Sequence, residues 1–151
     1  MSMAVLLDAG PLGLATNPNV SPEALACRAW LAGLLAAGIT VFIPEITDYE
    51  LRRELLRARK AKGLTRLDGL KTDLYYLPLN TATMLTAAAL WARARNEGYP
   101  TAAEAALDVD VILAAQALGL KGHGFEPVVA TTNPRHLSRF VAARHWSEIV
   151  I

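Results

Sequence analysis

A parallel α/β sheet enclosed by helices is the fold class that this sequence predicts, and three observations carry it. Ala4-Val5-Leu6-Leu7, Thr40-Val41-Phe42-Ile43 and Val128-Val129-Ala130 are short apolar runs without polar alternation, as expected of strands buried on both faces. They alternate with longer segments that carry helix-start signals. With 151 residues, 53% of them hydrophobic, the chain suits one domain over 1-151 with a sizeable core.

The first strand is stopped by Asp8-Ala9-Gly10-Pro11, which leaves Asp8 at its carboxyl end. Asn17-Pro18-Asn19 reads as a loop. Ser21-Pro22-Glu23 then supplies an N-cap, a proline at the first helical position and a first-turn acid for a helix running to about Ala37, ended by Gly38. The second strand stops at Pro44. Thr47-Asp48-Tyr49-Glu50 has the form of a capping box and is expected to open a helix lasting to about Lys62, with Gly63 just past its end. Leu64 to Asp73 is a weaker helix. Tyr75 to Leu79 is a third strand, placed at an edge by Pro78.

An alanine-rich helix follows from about Ala82 to Asn96, broken by Gly98-Tyr99-Pro100; Thr101 to Glu104 resembles another capping box. Leu107 to Leu118 is apolar nearly all round, Gln116 excepted, so only its first turn is expected to meet solvent. Asp108 and Asp110 stand there, Asp108 where an N-cap belongs. Gly119 to Gly124 is a glycine-rich connection, Val128 to Ala130 the fourth strand, Thr131-Thr132-Asn133-Pro134 its exit, His136 to Phe140 a short helix, and Ile149-Val150-Ile151 a last strand.

Composition excludes several classes. A formal net charge of +1 gives no global nucleic-acid signature, so phosphate binding must rest on a local patch. One cysteine, Cys27, excludes an internal disulfide framework and a cysteine-rich zinc site, in keeping with a cytoplasmic protein. The N-terminus lacks a basic leader, and the longest apolar tract falls short of the roughly 20 residues needed to span a bilayer.

The candidate chemistry lies in four oxygen donors from four segments. Open parallel sheets bind ligands outside the carboxyl ends of their strands, where Asp8 and Asn133 fall. Glu50 and Asp110 open the helices that follow. Oxygen donors without clustered Cys or His suit a hard cation, Mg²⁺ or Mn²⁺, which also relieves the mutual repulsion of grouped carboxylates. Such a site acts on a phosphodiester. Each residue also has a local explanation: an Asx turn for Asp8, a cap for Asp108 and Asn133, the third helical position of a capping box for Glu50. Six of the fifteen Lys and Arg residues lie between Arg52 and Lys62. Arg52, Arg53 and Arg57 form a basic strip beside the acids, suited to RNA phosphates or simply solvated, and Arg135 and His136 follow Asn133 closely. Trp30, Trp91 and Trp146 read as core residues.

Four stretches resemble the PIN domain nucleases, and among them the VapC-like toxins of toxin–antitoxin pairs. They are Leu6 to Leu12, Ile43 to Glu54, Leu107 to Ala117 and Val129 to Leu137, in family order across nearly the whole chain. The resemblance implies a five-stranded parallel sheet between helices, an α/β/α sandwich, with a Mg²⁺ or Mn²⁺ site and endoribonuclease activity. It carries the family's acids onto Asp8, Glu50 and Asp110, and its Thr-x-Asp/Asn turn onto Thr131 and Asn133. It further implies a homodimer and a cognate antitoxin. Asn133 stands where many members have an Asp, and a neutral amide holds a cation less strongly, which keeps an RNA-binding protein with weak or no catalysis as the alternative. A receiver-like domain would need a Lys at a later strand end, where Thr131-Thr132-Asn133 stands. A haloacid dehalogenase-type phosphatase would need an Asp at Gly10.

Overall fold

The computed structural model describes residues 1-98 and 104-150. Strand β1 (Ser2–Leu7) leads into helix α1 (Ala9–Thr16), α2 (Pro22–Ala36), β2 (Thr40–Pro44), α3 (Glu45–Arg57), α4 (Ala61–Asp73), β3 (Tyr75–Leu77), α5 (Thr81–Asn96), α6 (Glu104–Lys121), β4 (Phe125–Thr131), α7 (Pro134–Leu137) and β5 (Ala143–His145), followed by a 3₁₀ turn, Trp146–Glu148. The five strands form one sheet in the order β3-β2-β1-β4-β5, with every pair parallel. None of the described helices is long and apolar enough to cross a membrane.

Period-two alternation sorts β1 onto two cores. Val5 and Leu7 join Leu12, Leu31, Leu34, Leu67 and Trp146 on one face. Ala4 and Leu6 join Ile46, Val109, Leu113, Ala117 and Leu137 on the other. Helix α6 lies on that second face, and its far side, through Leu107, Val111 and Ala114, packs on α5. That double burial is why its sequence is apolar nearly all round.

Several boundaries differ from the sequence reading. Helix α1 was hidden by Gly10, Pro11 and Gly13. Asp8 caps it, and a proline in the first turn forfeits no intrahelical bond. Helix α3 begins at Glu45, directly after Pro44, so the capping box at Thr47 to Glu50 does not form. One of its orphan donors is served from afar: the Ile46 N–H reaches the side-chain carbonyl of Gln116 at 3.3 Å. Gln116, expected on a polar face, is instead buried and also donates to the Leu77 carbonyl at 2.8 Å. The helix ends at Arg57 because Arg59 takes the left-handed conformation (φ 56) while Lys60 N–H bonds back to the Leu55 carbonyl. Gly63 lies inside α4, where a Cβ would meet Leu55 at 3.0 Å, so it permits the close packing of α3 on α4.

The last strand is Ala143–His145, with Ile149 serving as a core plug beneath Trp30, whose indole N–H donates to the Ile149 carbonyl at 2.9 Å. Helix α6 continues through Gly119 to Lys121, which shortens the glycine-rich connection, and α7 stops at Leu137. Because α6 is already helical at Glu104, Asp108 is not its N-cap but an exposed residue in the helix body. Thr101, where the second capping box is expected to start, the break at Tyr99-Pro100 and Ile151 lie outside the described residues.

Candidate active site

The chain runs from β1 outward to β2 and β3 and returns on the other side of β1 as β4, which creates a switch point between β1 and β4. Asp8 leaves β1 there. Its backbone N–H continues the sheet by bonding to the Ala130 carbonyl at 2.9 Å. Its carboxylate accepts from the Ala9 N–H and from the Thr131 hydroxyl, both at 2.8 Å. Thr131 is buried, and its hydroxyl oxygen in turn accepts from the Asn133 N–H at 3.1 Å. Both loops of the switch point are therefore tied to one carboxylate. The turn above them is tight: a Cβ at Gly10 would stand 2.5 Å from the Thr132 methyl. That contact was not anticipated, although the glycine within Asp8-Ala9-Gly10-Pro11 was its signal.

Glu50 and Asp110 enter from α3 and α6. The charges of Asp8, Glu50 and Asp110 act on one another, so the fold brings these three acids into one electrostatic neighbourhood. Burial pushes the Asp8 carboxyl above the usual range, against the lowering effect of its two hydrogen bonds. Burial raises Glu50 too, helped by the Asp8 charge and opposed by the Arg53 guanidinium. Asp110 is pushed furthest, to about 7, by burial first and then by Asp8 and Glu50. Asp108, two residues earlier, faces away as helix geometry requires and lines a groove of about 430 Å³ with Met84, Trp91 and Ile112 between α5 and α6.

The remaining candidates are distributed as follows. Asn133 is exposed and caps α7, its side-chain oxygen accepting from the Arg135 N–H at 3.4 Å. Arg135 is exposed; His136 is half-buried, its Nδ1 enclosed without a hydrogen-bond partner. Arg52 departs from the basic strip: its guanidinium bridges Asp48 at 3.0 Å and Asp68 at 2.6 Å. Asp48 also binds Lys71 at 3.3 Å, making a clamp between α3 and α4 rather than a phosphate contact. Arg53 and Arg57 are exposed, with Arg57 paired to Glu54 at 2.9 Å.

Carboxylates that repel one another and are pushed toward their neutral forms suit a hard divalent cation, which would relieve both costs. Among the described residues, no three His, Cys, Asp or Glu side chains are close enough together to enclose an ion.

A family model for the PIN domain matches residues 6–141. The chain belongs to the PIN domain family. Its fold is shared with VapBC2 from Rickettsia felis bound to a promoter DNA fragment (TM-score 0.74, 18% identity, 95% of this chain and 99% of that chain). It is similarly shared with VapBC-1 from nontypeable Haemophilus influenzae (TM-score 0.70, 16% identity, 97% and 100%). DNA-bound VapBC from Salmonella typhimurium is more distant in shape (TM-score 0.62, 18% identity, 95% and 98%). No curated protein matches the chain in sequence.

Proposed function

We propose that this PIN domain is a metal-dependent endoribonuclease and the toxin of a VapBC-type toxin–antitoxin pair. The observation that carries the hydrolytic reading is the acid trio. Three carboxylates from three segments, Asp8, Glu50 and Asp110, gather at the carboxyl edge of a parallel sheet; burial raises all three, and the charge of neighbouring acids adds to it at Glu50 and Asp110. Without a cationic ligand or substrate this arrangement is a cost to the fold.

In this reading Asp8, Glu50 and Asp110 would hold Mg²⁺ or Mn²⁺ by drawing their carboxylates closer than they stand in the metal-free chain. When bound, the cation supplies charge neutralisation at the scissile phosphate and a lowered pKa for water. The chain's own residues do the positioning. Thr131 fixes the rotamer of Asp8 and ties it to the Asn133 turn. Arg53 brings positive charge beside Glu50, where the non-bridging phosphate oxygens of RNA would lie. Glu50, Arg53 and Arg57 share a helix face at spacings of three and seven residues, so the phosphate backbone has a path leading away from the acids.

The structural neighbours are VapBC complexes, which supports a protein antitoxin as partner; a homodimer and a cytoplasmic setting belong to the same reading. A second reading, RNA binding with little hydrolysis, is favoured by Asn133, a neutral amide already used as a helix cap. Incubating the protein with total RNA in Mg²⁺, in Mn²⁺ and in EDTA separates the two. Cleavage only with metal supports the first; RNA binding without cleavage in any metal supports the second.

A further inference from the structure

Helix α3 carries a feature that neither the acids nor the basic strip uses. Tyr49 directly follows three buried residues, Ile46, Thr47 and Asp48, yet is itself 56% exposed. It lies one turn before Arg53 on the helix surface. The Arg53 guanidinium carbon stands 5.2 Å from the Tyr49 ring centroid. The charge of the same guanidinium acts on Glu50. Arg53 therefore bridges the acidic site and an exposed aromatic ring. An exposed cation–π pair is worth only about 0.5–1 kcal/mol to a fold. Stability alone gives no reason for the ring to stand beside the acids rather than elsewhere.

We propose that Tyr49 is a base-stacking residue for single-stranded RNA, seating the base of a nucleotide whose phosphate is held by Arg53 next to the acid trio. The inference rests on the RNA reading and deepens it by naming the substrate form. A ring next to a phosphate site engages a base only when that base is splayed out, which duplex RNA does not offer. Stacking uses the face every base has, so the contact selects strandedness and discriminates little among base identities. Glu50 would then lie on the phosphate side of Arg53 and Tyr49 on the base side, so one guanidinium would set the spacing between them.

The test measures binding by fluorescence anisotropy in EDTA. The probes are a labelled single-stranded oligoribonucleotide, the same strand with abasic positions, and a duplex of the same length. Tyr49→Leu is expected to weaken single-strand binding by about 5- to 150-fold. Tyr49→Phe is expected to bind as wild type does, and wild type and Tyr49→Leu are expected to bind the abasic strand and the duplex alike. Unchanged single-strand affinity in Tyr49→Leu, or an equal loss on the abasic strand, overturns the proposal. So does a Tyr49→Leu protein whose only change is its oligomeric state on a sizing column. Metal-dependent cleavage by wild type alongside unchanged binding by Tyr49→Leu sinks the stacking role alone. Wild-type binding that depends on Tyr49 without cleavage in any metal sinks hydrolysis alone, and wild type that neither binds nor cuts RNA sinks both.

Discussion

Asp110→Asn is expected to stabilise the metal-free protein, and to do so increasingly as pH rises from about 4. The Asp110 carboxyl is raised from 3.8 to about 7 in the folded chain. An acid whose folded pKa lies above its unfolded value holds its proton in the native state while the unfolded state has already lost it. Native stability is therefore greatest below pH 4 as far as this group is concerned. It is lost progressively as pH rises from about 4 through about 7. Undiscounted, a shift of about three units is worth about 4 kcal/mol; solvent screening of a half-buried carboxyl brings this to about 1–2 kcal/mol. Asn imitates the protonated acid at every pH. In a chain of this size the gain is a rise in Tm of about 3–6 °C at pH 8, shrinking as pH falls and vanishing only near pH 4, where the unfolded carboxyl is also protonated. Thermal unfolding followed by circular dichroism in EDTA, at half-unit steps from pH 4 to 8.5, measures it. Equal melting of wild type and Asp110→Asn at pH 8, or a deficit in the variant that persists across the range, would refute the argument that this carboxylate is held at a cost.

Three further substitutions probe what positions the site. Gly10→Ala puts a methyl 2.5 Å from Thr132 and is expected to cost about 1–3 kcal/mol in a urea titration, with a parallel loss of RNA cleavage as the switch-point loops part. Gln116→Ala leaves the Ile46 N–H and the Leu77 carbonyl without their buried partner; a loss of about 1–3 kcal/mol is expected, and an unchanged urea midpoint would show that water replaces the amide. Asp48→Ala removes the carboxylate shared by Arg52 and Lys71, and a cost of about 2 kcal/mol is expected, scored by the same titration.

Much of the fold was legible because buried strands and a doubly buried helix leave unambiguous apolar runs. Val5, Leu7 and Leu113 are all fully buried, and nothing but a central position in a layered fold explains so many neighbouring apolar residues. The misreadings share a physical cause. Thr47 to Glu50 has the sequence of a capping box, but Pro44 and the distant Gln116 had already started the helix. Arg59 rather than Gly63 takes the left-handed turn at the end of α3, because Gly63 is used inside α4 to let that helix pack against Leu55. Ile149-Val150-Ile151 has strand propensity, yet Ile149 is used to fill the core under Trp30. In each case a tertiary contact overrode a local preference.

At the site, the acids could be named from their positions at strand and helix ends, but their mutual action depends on the β1–β4 switch point. Tyr49 was invisible as anything but a helix residue, because its distinction is to be exposed beside Arg53. Arg52 looked like a member of the basic strip until Asp48 and Asp68, on two different helices, claimed it.

The most direct measurement compares Asp110→Asn with Asp108→Ala in single-turnover cleavage of a fluorescent single-stranded RNA at saturating Mn²⁺. The two aspartates are two residues apart, yet Asp110 acts with Asp8 and Glu50 while Asp108 stands over the groove between α5 and α6. Asp110→Asn is expected to lose cleavage by at least about 100-fold, the scale on which a group acting on transition-state charge is felt, while Asp108→Ala cuts at close to the wild-type rate. Wild-type cleavage by Asp110→Asn, or its loss in Asp108→Ala alone, would contradict the assignment of this end of the sheet as a hydrolytic centre.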